Sequence, residues 1–223
     1  MGAMTQIYCR KPSVGEMLAL LEMGVEYIAW HLHPNDGKSI ILSRQLVDLA
    51  KLHGASSTLL IHSLKLHELE TIARMVQPDY LLMSSDRNDD DMPQLARRLT
   101  GHSKLMMSVP VAPSGANYDL GSVEIARMYS EYAGALTVDT CLNTNTSVFG
   151  CTGKVNDWET CRDIINAVSC PVILAGGLST ENVAESIRVT GATIVDACTS
   201  LELPDKSKNI AECRRFVEAV KNV

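Results

Sequence analysis

The chain has 223 residues, of which 46% are hydrophobic and 21% charged, and its formal net charge is −6. This length and composition are typical of a soluble globular protein, and the acidic balance without Lys/Arg clusters argues against a nucleic-acid partner. No apolar run reaches the roughly 20 residues of a membrane-spanning helix, so we expect no membrane partner either.

The cysteines indicate a reducing compartment. The chain has seven of them, and they follow neither a C-x-x-C pattern nor the spacing of zinc ligands. We therefore predict free thiols and a cytoplasmic location. The N-terminus lacks the charged-then-apolar pattern of a secretory signal. We interpret residues 1–4 as an expression scar or a disordered start.

Short apolar runs alternate with amphipathic segments along the whole chain. The predicted strands are 6–9, 27–32, 57–61, 80–83, 104–109, 135–138, 172–175 and 193–197. The predicted helices are 13–23, 43–53, 65–76, 92–100, 122–132, 157–168, 180–189 and 209–220. The predicted N-caps are Ser13, Ser43, Asp157 and Thr180.

Eight strand–helix units without an antiparallel hairpin signal predict a single-domain (β/α)8 TIM barrel over residues 1–223. An open, doubly wound sheet is the alternative, but it offers no reason for eight units. The longest irregular segments are 110–121 and 140–156. Both follow predicted strands, so both belong to the mouth where barrel active sites lie. We expect the second segment to form a mobile lid.

Two residues at predicted strand ends could form an acid–base pair. Cys9 ends the first strand, and the neighbouring Arg10 and Lys11 could stabilise its thiolate. Asp139 ends the sixth strand, where a buried carboxylate is costly unless it is paired or solvated. The alternatives are a core cysteine and a carboxylate that caps the next loop. If the side chains converge, they can act on one substrate from two sides.

Gly176 and Gly177 lie between a predicted strand and a predicted helix, a position typical of phosphate-binding turns. The next loop along the barrel, after the eighth strand, supplies Cys198, Thr199 and Ser200. Loops seven and eight hold phosphate in many barrels. The alternative is a tight turn with no ligand. His31 and His33 lie on one strand face but lack a third ligand, so no metal site is predicted.

Four stretches of the sequence resemble the phosphoribosylanthranilate isomerase family. Residues 150–158 resemble the G-G-T-G-x-x-F-D-W loop of the family, and residues 174–183 read L-A-G-G-L-S-T-E-N-V, nearly its phosphate loop. Residues 195–202 are similar to its V-D-V-S-S-G-V-E. Ile7-Tyr8-Cys9 resembles the start of its K-I-C-G-L-T. The resemblance implies a ribulose-phosphate-binding barrel, monomeric or homodimeric, that works without a cofactor on a phosphorylated small molecule.

The family reaction, which belongs to tryptophan biosynthesis, is an Amadori rearrangement of an N-phosphoribosyl amine to an aminoketose phosphate. By resemblance Asp139 would be the general acid and Cys9 the general base. The implied phosphate-binding residues are Gly153, Gly176, Gly177, Cys198, Thr199 and Ser200.

The sequence also departs from the family pattern. Lys38 falls where the family has an arginine, and lysine cannot grip a carboxylate with two prongs. Ser200 replaces a glycine of the phosphate loop, and Arg10-Lys11-Pro12 replaces G-L-T. Residues 82–85 replace a Q-L-H-G. Two alternatives therefore stay open: a paralogue that isomerises or binds another phosphorylated sugar, and a non-catalytic phosphate-ligand binder.

Overall fold

The computed structural model describes residues 2–61, 65–83, 91–143 and 150–223, and its eight strands form a closed parallel barrel. The strands are β1 (Met4–Cys9), β2 (Tyr27–His31), β3 (Ser56–Leu60), β4 (Tyr80–Met83), β5 (Lys104–Val111), β6 (Ala135–Thr140), β7 (Val172–Leu174) and β8 (Ile194–Ala197). The helices are α1 (Val14–Glu22), α2 (Gly37–Leu52), α3 (Leu66–Val76), α4 (Met92–Leu99), α5 (Ser122–Ser130), α6 (Trp158–Ala167), α7 (Val183–Thr190) and α8 (Ile210–Lys221).

β1 closes the barrel because it pairs in parallel with both β2 and β8. One helix follows each strand, so all eight strands end at the same mouth. The predicted (β/α)8 barrel is therefore confirmed. β1 begins at Met4, whose N–H donates to the Thr193 carbonyl at 2.8 Å. The last residue of the stretch interpreted as a scar or disordered start thus belongs to the sheet.

Two helix starts differ from the prediction. α2 begins six residues before the predicted Ser43, because the Asp36 carboxylate accepts from the Lys38 N–H at 3.0 Å and caps the helix. Ser43 is instead buried and accepts from the Trp30 indole N–H at 3.0 Å. α7 begins at Val183, with Asn182 rather than Thr180 at the N-cap position.

The predicted caps of α1 and α6 are confirmed. The Ser13 hydroxyl accepts from the Glu16 N–H, and the Asp157 carboxylate accepts from the Thr160 N–H. Both side chains satisfy N–H groups that the first turn of a helix leaves free. Among the described residues, no helix is both long and apolar enough to cross a membrane.

The apolar side chains form two layers, because successive residues of a strand point to opposite faces. The outer layer lies between strands and helices and includes Ile7, Cys9, Trp30 and Val138. The inner layer fills the barrel and is built from Leu82, Met106, Ala135, Ile173 and Ile194, with Met4, Tyr27, Leu60 and Tyr80 packed against it. The inner residues above this layer therefore point toward the mouth.

Candidate active site

Asp139 lies near the end of β6 and shares its inward face with Ala135 of the inner layer. Its carboxylate accepts from the Thr140 N–H at 2.7 Å. Burial raises the pKa of Asp139 to about 6, against the hydrogen bonds from the backbone of Thr140 and Cys151, which lower it. A Cβ on Gly150 would lie 2.5 Å from an Asp139 carboxylate oxygen, so only glycine lets the following loop approach this group.

Asp196 is a second inward carboxyl and lies on β8, which β7 separates from β6. It is 8% exposed and accepts from the Gln6 side-chain amide at 3.0 Å. Burial raises its pKa to about 7, and the charge of Asp139 acts in the same direction, whereas Gln6 and Lys208 oppose the shift. Asp196 was not among the predicted site residues. The signal that could have found it is a carboxylate near the end of the predicted strand 193–197, the same pattern that pointed to Asp139.

Asp139 and Asp196 line one cavity of about 390 Å³ together with the glycine turn and the turn after β8. Its lining includes every residue predicted to bind phosphate: Gly153, Gly176, Gly177, Cys198, Thr199 and Ser200. The sequence therefore grouped these six residues and Asp139 at one site. The residues predicted as a lid are described only in part, since 144–149 lie outside the described residues.

The glycine turn is held in place by the segment before α6. Gly176 and Gly177 have φ values of 90° and 69°, which favour glycine. A Cβ on Gly177 would lie 2.5 Å from the carbonyl carbon of Lys154, and one on Gly176 would lie 2.6 Å from the Asn156 amide nitrogen. Within the described chain, no acceptor is found for the N–H groups of Gly176 and Gly177. Two backbone donors therefore remain for an anion in the cavity.

The turn after β8 tolerates serine where the resemblance pointed to glycine. Ser200 lies in a 3₁₀ turn, Thr199–Leu201, and is not among the non-glycine residues with positive φ. Its hydroxyl donates to the Leu178 carbonyl at 2.6 Å, which joins this turn to the glycine turn. The serine therefore carries no backbone strain of this kind.

The predicted placement of Cys9 at the mouth is wrong. The side chain is 1% exposed and belongs to the outer layer, not to the lining of the cavity. Burial raises the pKa of the Cys9 thiol, Lys208 opposes the shift, and Glu16 adds to it. Arg10 does not face the thiol either, since its guanidinium pairs with Glu202, with an Nε to Oε1 distance of 2.8 Å.

Tyr8 takes the inward position at the end of β1 instead. The alternation that turns Cys9 outward puts Tyr8 on the face of Met4 and Gln6. Burial raises the pKa of its phenol well above the usual value, and negative charge at Cys151 and Cys198 adds to the shift. Tyr8 is thus a neutral hydrogen-bonding group. Tyr8 was not predicted because the chemistry of the neighbouring Cys9 drew the assignment, and the sequence of β1 does not show which of the two residues points inward.

Lys38 lies outside the cavity that holds the two carboxyls. It is exposed in the first turn of α2 and lines a cleft of about 370 Å³ with Arg10, Lys11, His31 and His33. The His31 and His33 rings lie 4.5 Å apart in an edge-to-face arrangement. In the part of the chain that the structure describes, no group of three His, Cys, Asp or Glu side chains could hold a metal ion. Its basic side chains outnumber its one carboxylate, that of Asp36, so the cleft is a mainly basic surface beside the mouth.

Comparison with known proteins gives a consistent result. The sequence model of the family described as N-(5'phosphoribosyl)anthranilate (PRA) isomerase matches residues 116–219. A protein of Methanocella arvoryzae named N-(5'-phosphoribosyl)anthranilate isomerase is 30% identical over 69% of this chain and 67% of its own length. A Haloferax volcanii protein of the same name is 37% identical over 67% of this chain and 61% of its own length.

The fold is similar to that of solved phosphoribosylanthranilate isomerases. One, in complex with reduced 1-(o-carboxyphenylamino)-1-deoxyribulose 5-phosphate, superimposes with a TM-score of 0.75 and 16% identity over 99% of this chain and 100% of its own. At this identity the likeness concerns the fold alone. The sequence matches to the two relatives span about two thirds of their lengths.

Proposed function

Because the chain belongs to the N-(5'-phosphoribosyl)anthranilate isomerase family, we propose that it isomerises N-(5'-phosphoribosyl)anthranilate in tryptophan biosynthesis. The reaction is an intramolecular oxidoreduction in which an aldose amine becomes an aminoketose. The observation that carries the proposal is the shared cavity, in which Asp139 lies beside the Gly176–Gly177 turn and the turn after β8.

Asp139 acts as the general acid. Its pKa of about 6 keeps part of the carboxyl protonated near neutral pH. The protonated form donates to the ring oxygen of the ribose, the ring opens, and C1 and the nitrogen form an iminium. A carboxyl with a raised pKa suits this step because it releases its proton to a weakly basic oxygen only within the site.

Asp196 is the group that we assign as the base. The base must face the same cavity, a condition that Asp196 meets and Cys9 does not. The carboxylate removes the C2 proton of the iminium to give an enolamine, which tautomerises to the aminoketose. Burial raises the pKa of Asp196 to about 7 and the charge of Asp139 acts in the same direction, so the two carboxyls share a proton near neutral pH. The form that reacts carries this proton on Asp139 and the negative charge on Asp196.

The substrate phosphate binds at the glycine turn and the turn after β8. The N–H groups of Gly176 and Gly177, which have no acceptor among the described residues, donate to its oxygens, with Gly153, Cys198, Thr199 and Ser200 around them. Lys38, in the basic cleft, attracts the anthranilate carboxylate as a point charge. The proposal needs no cofactor or metal and includes a cytoplasmic location and a monomeric or homodimeric state, with no nucleic-acid or membrane partner.

Loss of anthranilate fluorescence with purified enzyme and N-(5'-phosphoribosyl)anthranilate tests the proposal. We expect Asp139→Asn and Asp196→Asn each to lower kcat by about 10²–10⁴, the usual share of acid–base catalysis. Cys9→Ala should keep kcat within about three-fold, since its thiol does not line the cavity. A folded Cys9→Ala variant without turnover would refute the role of Asp196.

A second function is favoured by Tyr8. The inward end of β1 presents a neutral phenol rather than a thiol. This arrangement suits a barrel that binds a phosphorylated sugar without rearranging N-(5'-phosphoribosyl)anthranilate. Wild-type protein that shows no turnover, yet is stabilised against heat by ribose 5-phosphate or ribulose 5-phosphate, would establish this second function in place of the first.

A further inference from the structure

Two thiols from distant parts of the chain meet at the edge of the cavity. The sulfur of Cys151, on the loop before α6, lies 3.5 Å from the sulfur of Cys198, on the turn after β8. Cys151 is exposed and Cys198 is partly buried. The other five cysteines are Cys9, Cys141, Cys161, Cys170 and Cys213, and four of these are buried. This pair is therefore the accessible pair of neighbouring thiols.

Charged groups of both signs lie beside the pair, and the Cys198 thiol donates to the Glu202 carboxylate at 3.3 Å. The Nζ of Lys208, a fully buried side chain, lies 3.9 Å from the Cys198 sulfur and 2.9 Å from its carbonyl oxygen. The hydrogen bond between the two sulfurs lowers the pKa of Cys151, burial and the charge of Asp139 oppose this, and the charge of Arg10 lowers it further. Cys151 is the more exposed of the two thiols and is therefore the nucleophile of the pair, and Cys198 supplies the second thiol.

We propose that Cys151 and Cys198 form an oxidation site at which hydrogen peroxide produces a reversible disulfide that joins the loop before α6 to the turn after β8. The Cys151 thiolate attacks one peroxide oxygen, the O–O bond breaks, and the departing hydroxide takes up a proton to become water. The product is a sulfenic acid. The Cys198 sulfur then attacks the Cys151 sulfur, the S–O bond breaks, and the second water leaves with the thiol proton. Two thiols and one peroxide thus yield one disulfide and two waters.

The required movement is small. A disulfide has a sulfur–sulfur distance of about 2.05 Å, whereas the two atoms lie 3.5 Å apart in the reduced protein. The Thr199 hydroxyl already lies 3.5 Å from the Cys151 carbonyl oxygen, so the backbones of the two segments are adjacent. Rotation of the two side chains and a slight shift of the loop close the remaining gap.

The disulfide would change the cavity because both sulfurs belong to its lining, along with Gly153 and Gly177. It would fix the loop against the turn and narrow the space that an anion enters. The inference depends on the two thiols and the cavity, not on the proposed isomerase activity. We expect the oxidised protein to bind inorganic phosphate at least ten-fold more weakly than the reduced protein.

Thiol counting after denaturation tests the chemistry. One equivalent of hydrogen peroxide should lower the free thiols from seven by two, and a dithiol reductant should restore them. Digestion without reductant should give one peptide pair that links Cys151 to Cys198. Cys151→Ser should lose this pair. Cys170→Ser, which removes a partly exposed cysteine at the opposite end of the barrel, should keep it. Linkage of other cysteines, or oxidation without linkage, would overturn the proposal.

Thermal shift with inorganic phosphate tests the effect on binding. We expect phosphate to stabilise the reduced protein and to lose this effect on the oxidised protein, while Cys151→Ser responds equally before and after peroxide. Equal phosphate response in the linked and the reduced wild type would refute the effect on the cavity. If phosphate stabilises neither form, the effect on binding is also refuted, whereas the peptide pair would still establish the disulfide independently of the proposed function.

Discussion

Asp196 couples the stability of the barrel to pH. Its pKa is about 7 in the folded protein against 3.8 for a free side chain, so between these values the folded state binds more protons than the unfolded state. The stability that this group contributes therefore falls as the pH rises from about 4 to 7 and does not change above that range. At 1.36 kcal/mol per pKa unit, the group contributes roughly 4 kcal/mol at most to this loss.

Asp196→Asn should remove this part of the pH dependence. Urea unfolding at pH 5 and pH 8 should show a smaller difference between the two free energies for the variant than for the wild type. Asp163→Asn, at an exposed position of α6, is the matched control and should behave as the wild type does. An unchanged difference in Asp196→Asn would show that the Asp196 carboxyl titrates as it does in water.

Gly177 provides a second residue-level prediction, because both its backbone conformation and the lack of space disfavour a Cβ. Alanine would adopt an unfavourable φ of 69° and would place its Cβ 2.5 Å from the backbone of Lys154. Gly54 shares the first difficulty, with a φ of 72°, but has nothing within 4 Å of the built Cβ. We expect Gly54→Ala to cost about 1 kcal/mol and Gly177→Ala about 1–3 kcal/mol more because of the overlap.

Urea unfolding of both variants measures this difference. Thermal shift with inorganic phosphate should also distinguish them, since Gly177→Ala displaces a proposed phosphate donor and Gly54 ends a turn after α2, away from the cavity. Equal losses of stability in the two variants would show that the 154–155 segment moves aside at no cost, so that backbone conformation alone explains the glycine.

For single residues, the chemical role of a side chain was easier to predict than whether it points into the barrel or away from it. Asp139 follows the apolar run 135–138. A carboxylate at that position is costly to bury unless it lies at the mouth of a barrel. The sequence around Tyr8 and Cys9 offers no such contrast between a charged residue and an apolar run. A parallel barrel strand is buried on both faces, so its sequence lacks the polar alternation that reveals which residue points inward. The phase of β1 comes from its pairing with β8, which no local pattern encodes.

Among the elements, α2 offers a direct test of how its start is defined. Asp36→Ala removes the carboxylate that accepts from the Lys38 N–H and should destabilise the protein by about 0.5–2 kcal/mol. Asp48→Ala removes the same charge from the exposed middle of α2, where the carboxylate pairs with Arg44. This control should cost less than about 1 kcal/mol. Urea midpoints compare the two, and equal losses would contradict capping by Asp36.

The same helix shows why element boundaries were less predictable than elements. Asp36 and Ser43 are both residue types that cap helices well, so local sequence offers two starts for α2. The choice is made by a distant contact, since Ser43 accepts from the Trp30 indole and lies within the outer layer. At α7 the turn 179–182 precedes the helix, with the Asn182 side chain accepting from the Ser179 N–H at 2.8 Å. The hydrophobic periodicity of the sequence does not reveal side-chain contacts of this kind.

For the whole molecule, the number of units was the decisive feature. Eight strand–helix repeats permit a ring without edges, and the pairing of β1 with β8 completes it. What the count could not supply is which side chains meet across the ring. Asp139 comes from β6, Asp196 from β8 and the glycine turn from the end of β7, so their meeting depends on strand tilt and register. The cavity is therefore a property of the closed barrel.

Closure also predicts how the chain unfolds. If half of the barrel opened alone, the rest would expose two unpaired strand edges and the continuous outer layer that contacts all eight helices. We therefore expect one cooperative unit over residues 1–223. The chain has two tryptophans, Trp30 in β2 and Trp158 at the start of α6, so Trp30→Phe and Trp158→Phe each leave a single reporter on one side of the ring.

In each variant, urea unfolding followed by tryptophan fluorescence should coincide with unfolding followed by far-ultraviolet circular dichroism, which reports all helices together. The comparison is made within a variant because the substitution itself changes stability, most of all at Trp30, whose indole donates to Ser43. A fluorescence transition that precedes the dichroism transition in one variant only would show that its side of the barrel opens first. The ring would then consist of two units of unequal stability, and the cavity, whose lining comes from β6, β8 and the segments that follow β6, β7 and β8, would depend on only one of them.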